Sequence, residues 1–140
     1  MSRTNENLRE THFSGEGTRG WFLNTDAFPG LQSSGAAIAG FITEADSRFC
    51  YIRHAPDFGQ FVATLAGSGE GWVDGRWQRL EPGTAYVTPP SALHGYRTAA
   101  GHAWRLAWAR FSARQFRGMS RGVITPRLCA IDAGCLWTGI

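Results

Sequence analysis

The sequence predicts an all-β domain folded as a jelly-roll barrel. The chain has 140 residues, the length of one domain. It contains 18 Gly and 6 Pro, and the breaks that they make recur about every ten residues, a spacing typical of short strands joined by tight turns. The segments between these breaks alternate apolar and polar residues, as strands with one buried face do. A barrel of this kind has an interior just wide enough for one small ligand.

The N-terminal third of the chain predicts an arm and then the first barrel strands. Residues 1–20 are polar and lack apolar periodicity, so we expect a flexible arm, with the barrel over residues 21–112. The first strands are predicted at residues 36–43, 49–53 and 60–65. In the third strand, alternation places two sets of side chains on opposite faces: Gln60, Val62 and Thr64 on one, Phe61, Ala63 and Leu65 on the other.

The middle of the chain predicts a hairpin and one further strand. Asp74-Gly75 stands between apolar flanks and predicts a type I′ turn, which requires a positive φ angle at both central residues. Pro82-Gly83 predicts the next turn, followed by a strand at residues 85–88. Pro89-Pro90 ends that strand, because a proline has no N–H group to donate to a sheet.

The last third predicts two more barrel strands and then a change of structure. The strands are expected at residues 94–97 and 103–111. Ser112 is a suitable N-cap for a short helix over residues 113–119. A weak strand is predicted at residues 128–131. We therefore expect residues 113–140 to contain the helix and the start of a linker or dimerisation region.

Charge bears on whether the chain binds nucleic acid. All 14 basic residues are Arg, and with 11 acidic residues the net charge is +3. Seven Arg and no acid lie between residues 82 and 131, which allows two interpretations, a nucleic-acid contact or a solvated face. Alternation places Arg105 and Arg110 on opposite faces of their strand, so the tract is not one basic stripe. This disfavours direct DNA binding.

Cysteines and apolar segments bear on the cellular compartment. Cys50, Cys129 and Cys135 show neither the spacing of a zinc site nor that of a disulfide framework. No apolar run reaches the roughly 18 residues that a membrane span requires. The polar N-terminus lacks the apolar region of a signal peptide. We expect a cytoplasmic protein with no membrane partner.

One motif resembles a known family. Gly83 to His94 reads GTAYVTPPSALH and resembles the second cupin motif, G-x5-P-x-G-x2-H, with Ser91 in place of the second Gly. Tyr96 follows at the next alternate position, and a strand with the pattern W-x3-W-x2-F comes after it. Together these are similar to the N-terminal sensor domain of AraC-family transcription regulators, a cupin barrel built as a double-stranded β-helix.

The resemblance implies a regulatory function. It implies a cytoplasmic domain that binds a small effector, often a sugar, and forms a homodimer. DNA would be bound only through a separate C-terminal helix-turn-helix domain, which we expect to be absent from this chain. The resemblance also implies an arm that closes over the ligand, for which Trp21, Phe22 and Phe28 are candidates.

The resemblance also implies a set of ligand-binding residues. Arg53, Tyr96 and Trp108 match the positions of a sugar-clamping Arg, a pocket Tyr and a stacking Trp. Leu106 stands where a sugar-binding member has a His, which favours a more apolar effector. The full candidate set is Arg53, His94, Tyr96, Trp104, Leu106 and Trp108.

Each candidate has a structural alternative. Trp104, Leu106 and Trp108 share one strand face and could form core rather than line a pocket. Arg53 could be a surface residue paired with Asp57 or Asp46 instead of a ligand clamp. His94 could cap a loop backbone at the barrel mouth.

A metal-dependent cupin enzyme, such as a dioxygenase, isomerase or epimerase, is the rival function. Such enzymes need at least three protein ligands around a metal with open positions. Only His94 stands at a metal-ligand position of the motif, and residues 58–65 contain neither His nor Glu. We therefore predict no catalytic residues, no metal and no cofactor, and a sensor rather than an enzyme.

Overall fold

The structure, a computed structural model, describes residues 8–24, 36–120 and 122–131. This part of the chain contains eleven strands and one helix. The strands are β1 (Thr11–Phe13), β2 (Arg19–Asn24), β3 (Ala36–Glu44), β4 (Cys50–Arg53), β5 (Phe58–Gly67), β6 (Gly69–Val73), β7 (Arg76–Leu80), β8 (Thr84–Thr88), β9 (His94–Thr98), β10 (Trp104–Ser112) and β11 (Arg127–Ala130). The helix, α1, spans Ala113–Met119.

The strands form two antiparallel sheets. One has the order β1-β4-β9-β6-β7 and the other the order β11-β8-β5-β10-β3-β2. The main core cluster joins both sheets, since it combines Val62 and Leu106 of the larger sheet with Val73 and Tyr96 of the smaller one. Burial of this apolar surface from both sides is the main force that holds the sheets together. The predicted all-β jelly-roll architecture is confirmed.

The predicted hairpin is present with the expected backbone. Strands β6 and β7 pair from Gly69↔Leu80 to Val73↔Arg76. At the turn, Asp74 has a φ of 53° and Gly75 a φ of 80°. Both central residues are therefore left-handed, as a type I′ turn requires.

Ser91 stands where the cupin motif has a glycine, and its backbone adopts a conformation that favours glycine. It has a φ of 67°, in the left-handed region where a side chain is disfavoured. Its N–H donates to the Pro56 carbonyl at 2.7 Å, which helps to hold this conformation. The glycine of the family pattern would adopt the same angle without strain, because it has no Cβ.

Strand β10 lies inside the larger sheet, between β5 and β3, and uses its two faces differently. Trp104 and Leu106 point into the main core, whereas Phe111 belongs to a second cluster with Phe116 of α1. The register shifts at Arg105/Leu106 against β5 and at Arg110/Phe111 against β3. The extra residue lies in the partner strand each time, Leu65 of β5 and Ala37 of β3, so the alternation of side chains along β10 itself continues. The Ser112 hydroxyl accepts from the Gln115 N–H at 3.2 Å, which confirms the predicted N-cap.

A buried tyrosine connects three strands. The Tyr86 hydroxyl of β8 donates to the Trp72 carbonyl of β6 at 2.8 Å and accepts from the Gly95 N–H of β9 at 3.1 Å. Burial raises the pKa of this phenol, so it stays neutral. Tyr86 therefore links the two sheets through backbone groups that need a partner in the interior.

The N-terminal segment differs in part from the predicted arm. β1 pairs with β4, and β2 pairs with β3, so both are edge strands of the barrel. Their side chains are mostly exposed, which is why the sequence shows no apolar periodicity there. Asp46 fixes the connection between them, because its carboxylate accepts from the Gly17 N–H at 2.8 Å. Phe28 lies outside the described residues.

Replacing Gly75 by valine should lower the free energy of unfolding by about 1–3 kcal/mol, because a β-branched residue resists a positive φ angle. Urea unfolding of the two proteins measures the difference. Gly75→Asn is the matched control and should lose much less, since asparagine tolerates the left-handed region. Equal stability of the valine variant and the parent protein would contradict the turn.

Candidate functional site

A cavity of about 430 Å³ opens between the two sheets. Tyr51 of β4 and Tyr96 of β9 line it from the smaller sheet, and Gln60 of β5 and Trp108 and Arg110 of β10 from the larger one. Residues of the β1–β2 segment, among them Ser14 and Thr18, complete the lining. The volume and the mixed lining, mostly aromatic with a few polar groups, are typical of a site for a small molecule.

Aromatic rings form the apolar part of the cavity. Tyr51 and Tyr96 are stacked with ring centroids 5.8 Å apart, and Phe22 lies 6.4 Å from Trp108. Gly40 makes room for the indole of Trp108, because a Cβ atom at this position would lie 2.8 Å from Trp108 Cζ2. Of the candidate residues, Tyr96 and Trp108 are the two that line the cavity.

Arg53 lies in the interior beside the cavity. It is 6% exposed. One guanidinium nitrogen, Nη1, donates to His94 Nε2 at 3.3 Å and to the Tyr96 hydroxyl at 3.4 Å. The guanidinium also lies over the rings of Tyr51 and Phe58, at 5.0 and 5.2 Å from their centroids. The alternative of a surface Arg paired with Asp57 or Asp46 is wrong, since Arg53 is buried and forms its contacts inside the barrel.

His94 is fully buried and neutral. Because a guanidinium can only donate, His94 Nε2 accepts from Arg53 and the imidazole proton is on Nδ1. Burial, followed by the charges of Arg53 and Arg110, lowers the pKa of His94 to about 3. The alternative of a loop cap at the barrel mouth does not fit this position, because the imidazole contacts side chains of the interior.

Trp104 and Leu106 lie deeper than the cavity. Trp104 is 1% exposed, and its indole N–H donates to the Thr64 hydroxyl at 3.0 Å. Leu106 is fully buried in the main core cluster. Both side chains are therefore satisfied by protein contacts, and neither lines the cavity. Trp104, Leu106 and Trp108 share one face of β10, and of the three only Trp108 lines the cavity.

Two polar lining residues were missed by the analysis of the sequence. Arg110 and Gln60 both line the cavity. The Arg110 guanidinium lies 4.5 Å from the Phe58 ring centroid and 5.5 Å from that of Trp108. Alternation could have identified Arg110, since it follows Trp108 by two residues on the same strand face.

The described part of the chain gives little support to a metal site, a basic stripe for nucleic acid or a membrane span. It contains no group of three or more His, Cys, Asp or Glu residues arranged to hold a metal ion. The Arg tract is dispersed: Arg105 is exposed, Arg110 faces the cavity, and Arg97 donates to Glu70 at 2.8 Å. None of the described helical segments is long and apolar enough to cross a membrane.

Comparison with known families gives a match over most of the chain. Residues 36–131 match the family described as AraC-like ligand binding domain. This range contains β3 to β11 and α1, and so includes both sheets and most of the cavity lining. No curated protein matches the chain.

Solved structures share the fold at low sequence identity. The protein Ylba from E. coli is 13% identical with a TM-score of 0.54, and the match covers 78% of this chain and 44% of that one. KdgF from Halomonas sp. is 16% identical with a TM-score of 0.51, covering 75% and 90% of the two chains. The polyketide cyclase RemF from Streptomyces resistomycificus is 22% identical with a TM-score of 0.51, covering 74% and 70%. These likenesses show a shared cupin fold.

The buried neutral His94 should make the domain sensitive to acid. In the unfolded chain His94 takes up a proton near its ordinary pKa of 6.5, whereas in the folded protein it does so only at about 3. Its contribution to stability is therefore complete above pH 6.5 and is lost as the pH falls toward 3, by up to about 1.4 kcal/mol per pH unit. Unfolding in urea at a series of pH values measures this slope.

A histidine on the surface supplies the control. His94→Gln should show a shallower loss of stability between pH 6.5 and 3 than the parent protein. His102→Gln should keep the parent slope, because this side chain is exposed. The same acid slope in the His94 variant and the parent would show that another group causes the sensitivity.

Proposed function

Because this chain belongs to the AraC-like ligand binding domain family, we propose that it is the effector-sensing domain of a transcription regulator. In this proposal a small molecule occupies the cavity between the sheets and is recognised without being chemically changed. The observation that carries the proposal is the cavity of about 430 Å³ that Tyr96 and Trp108 line within the family match. Both residues stand where the family pattern places an aromatic contact to the effector.

The polar groups of the cavity support binding rather than catalysis. General acid–base or nucleophilic chemistry needs a group with a suitable pKa within reach of the substrate. The described lining contains no Cys, His, Asp, Glu or Lys. His94 is fully buried behind the lining, and its low pKa keeps it neutral. The metal-dependent enzyme of the rival hypothesis would need a ligand set that the described residues do not supply.

The position of the N-terminal segment supports a mechanism by which a ligand bound in the cavity changes the rest of the protein. Trp21 and Phe22 of β2 line the cavity, and both are more than half exposed. A ligand that contacts them would stabilise one arrangement of this segment over others. The rest of the regulator would then respond to which arrangement of this segment the ligand stabilises.

The partners follow from the same proposal. We expect the domain to support a homodimer, and DNA to be bound by a separate helix-turn-helix domain. The exposed side chains of Trp21, Phe22 and Phe41 on β2 and β3 supply apolar surface that such contacts could bury. A cytoplasmic location fits this role.

Trp108→Ala should weaken effector binding by about 1.5–3 kcal/mol, because an indole wall of the cavity is lost. A thermal-shift screen of monosaccharides, aromatic carboxylates and the amides of those carboxylates identifies binders for the parent domain. Calorimetric titration of the best binder then compares parent and variant.

The control is a tryptophan outside the cavity. Trp77 lies on β7, under the guanidinium of Arg97, and Trp77→Ala should leave the affinity unchanged. Absence of any binder in the screen would contradict a sensing role. Equal affinities of the Trp108 variant and the parent would place the effector elsewhere.

A further inference from the structure

The interior beside the cavity carries two guanidinium groups, and among the described residues no carboxylate forms an ion pair with either. The charge of Glu10 acts on His94, but its carboxylate is hydrogen-bonded to the His54 N–H and the His12 ring. Arg53 and Arg110 both lie against the ring of Phe58, at 5.2 and 4.5 Å from its centroid. The ion pairs of the described residues involve other Arg and His side chains, and none includes either of these two. Arg53 is buried and Arg110 is partly buried, so the two like charges repel each other and lose part of their hydration, which favours a counter-charge.

Of the two, Arg110 has donors left for a ligand. Arg53 donates to His94 and Tyr96, whereas no described residue accepts a hydrogen bond from Arg110. Its Nε atom is buried without a partner. Burial, together with the charge of Arg53, lowers the pKa of Arg110. The guanidinium lines the cavity and so can be reached by a bound molecule.

Tyr96 and Gln60 supply one further donor to the cavity. The Tyr96 hydroxyl accepts from Gln60 Nε2 at 3.2 Å and from Arg53 at 3.4 Å, which leaves its own O–H free to donate. Gln60 is 1% exposed, and its Oε1 atom has no partner. If the amide rotates by half a turn, Oε1 accepts from Tyr96 and the NH₂ group is free instead. In either orientation one N–H or O–H group is available to a ligand.

We infer that the effector is a carboxylate carried on an aromatic or similarly flat apolar body, with the carboxylate bound by Arg110 and by the free donor of the Tyr96–Gln60 pair. This inference rests on the proposed sensing function and names the ligand class of the same cavity. Arg110 presents donors in a planar fork, which matches the two oxygens of a carboxylate.

The apolar walls fit the remainder of such a molecule. Trp108 lines the cavity with Phe22 beside it, and Tyr51, whose ring is stacked with His12 and Tyr96, adds further aromatic surface. A ring packed against this surface would remove apolar surface from water while its carboxylate meets Arg110. A sugar would leave the charge of Arg110 without a counter-ion.

Matched pairs of probes test the inference directly. Phenylacetate, 4-hydroxybenzoate and indole-3-acetate are titrated into the domain by calorimetry, each beside its own amide, which has nearly the same shape and no charge. We expect the acid of the binding pair to bind about 10- to 100-fold more tightly than its amide, the range for a charge-assisted hydrogen bond. Arg110→Met should abolish this preference and leave the weak binding of the amide unchanged.

An exposed arginine on the same strand is the matched control. Arg105 lies on the opposite face of β10, and Arg105→Met should keep the full preference for the acid. Equal binding of acids and amides, or an acid preference that survives in Arg110→Met, would overturn the inference. Binding of neutral sugars alone would overturn it and leave the sensing function intact, whereas absence of binding by every class of probe would overturn both.

The stability of the empty domain provides an independent measurement. Removing the unpaired charge should leave the thermal unfolding midpoint of Arg110→Met equal to or above that of the parent when no ligand is present. Adding the carboxylate that binds should raise the unfolding midpoint of the parent by the amount that separates it from the empty variant. A lower midpoint of the empty variant, together with an unchanged acid preference, would assign Arg110 to the scaffold and overturn the inference.

Discussion

Two guanidinium groups at one cavity, neither of them in an ion pair with a described residue, constrain the rest of this structure. Arg53 and Arg110 share the ring of Phe58, and the groups around them are phenols, an amide, a neutral imidazole and aromatic rings. Ring faces and hydroxyl groups stabilise a buried cation less than an ion pair does. The interior therefore favours a negative charge that no described residue supplies as an ion pair with either guanidinium.

Hydrogen bonds between polar side chains hold the groups that surround this charge in place. His94 stays neutral, so that it can accept from Arg53, and Tyr96 accepts from Arg53 and Gln60 together. Tyr86 joins β6, β8 and β9 through buried backbone groups and thereby keeps the strand that carries both His94 and Tyr96 in place. A buried polar network of this kind is stable only when nearly every member has a partner. Two of the unpartnered atoms among the described residues, Gln60 Oε1 and Arg110 Nε, belong to residues that line the cavity, and the third is His94 Nδ1.

Strand β10 divides the interior into a structural and a binding part. Trp104 and Leu106 fill the core between the sheets, whereas Trp108 and Arg110, further along the same face, line the cavity. The β1–β2 segment borders that cavity from the N-terminal side, so a bound molecule would contact both the barrel and the segment before it. This arrangement suits a domain of the AraC-like ligand binding family, whose members share the cupin fold with proteins of other activities.

Local signals in the sequence were enough to predict most strands, the Asp74-Gly75 turn and the Ser112 cap. Each of these depends on the residues at that position or on strict alternation. The motif around His94 and the tryptophan pattern of β10 also identified the family. Which of the aligned aromatic residues face a cavity was decided by tertiary structure, since Trp104 and Trp108 share one strand face and differ in what the opposite sheet places against them. The role proposed for Arg110 depends likewise on its position over Phe58, beside Gln60 and outside the ion pairs of the described residues, and those positions exist only once distant strands pack together.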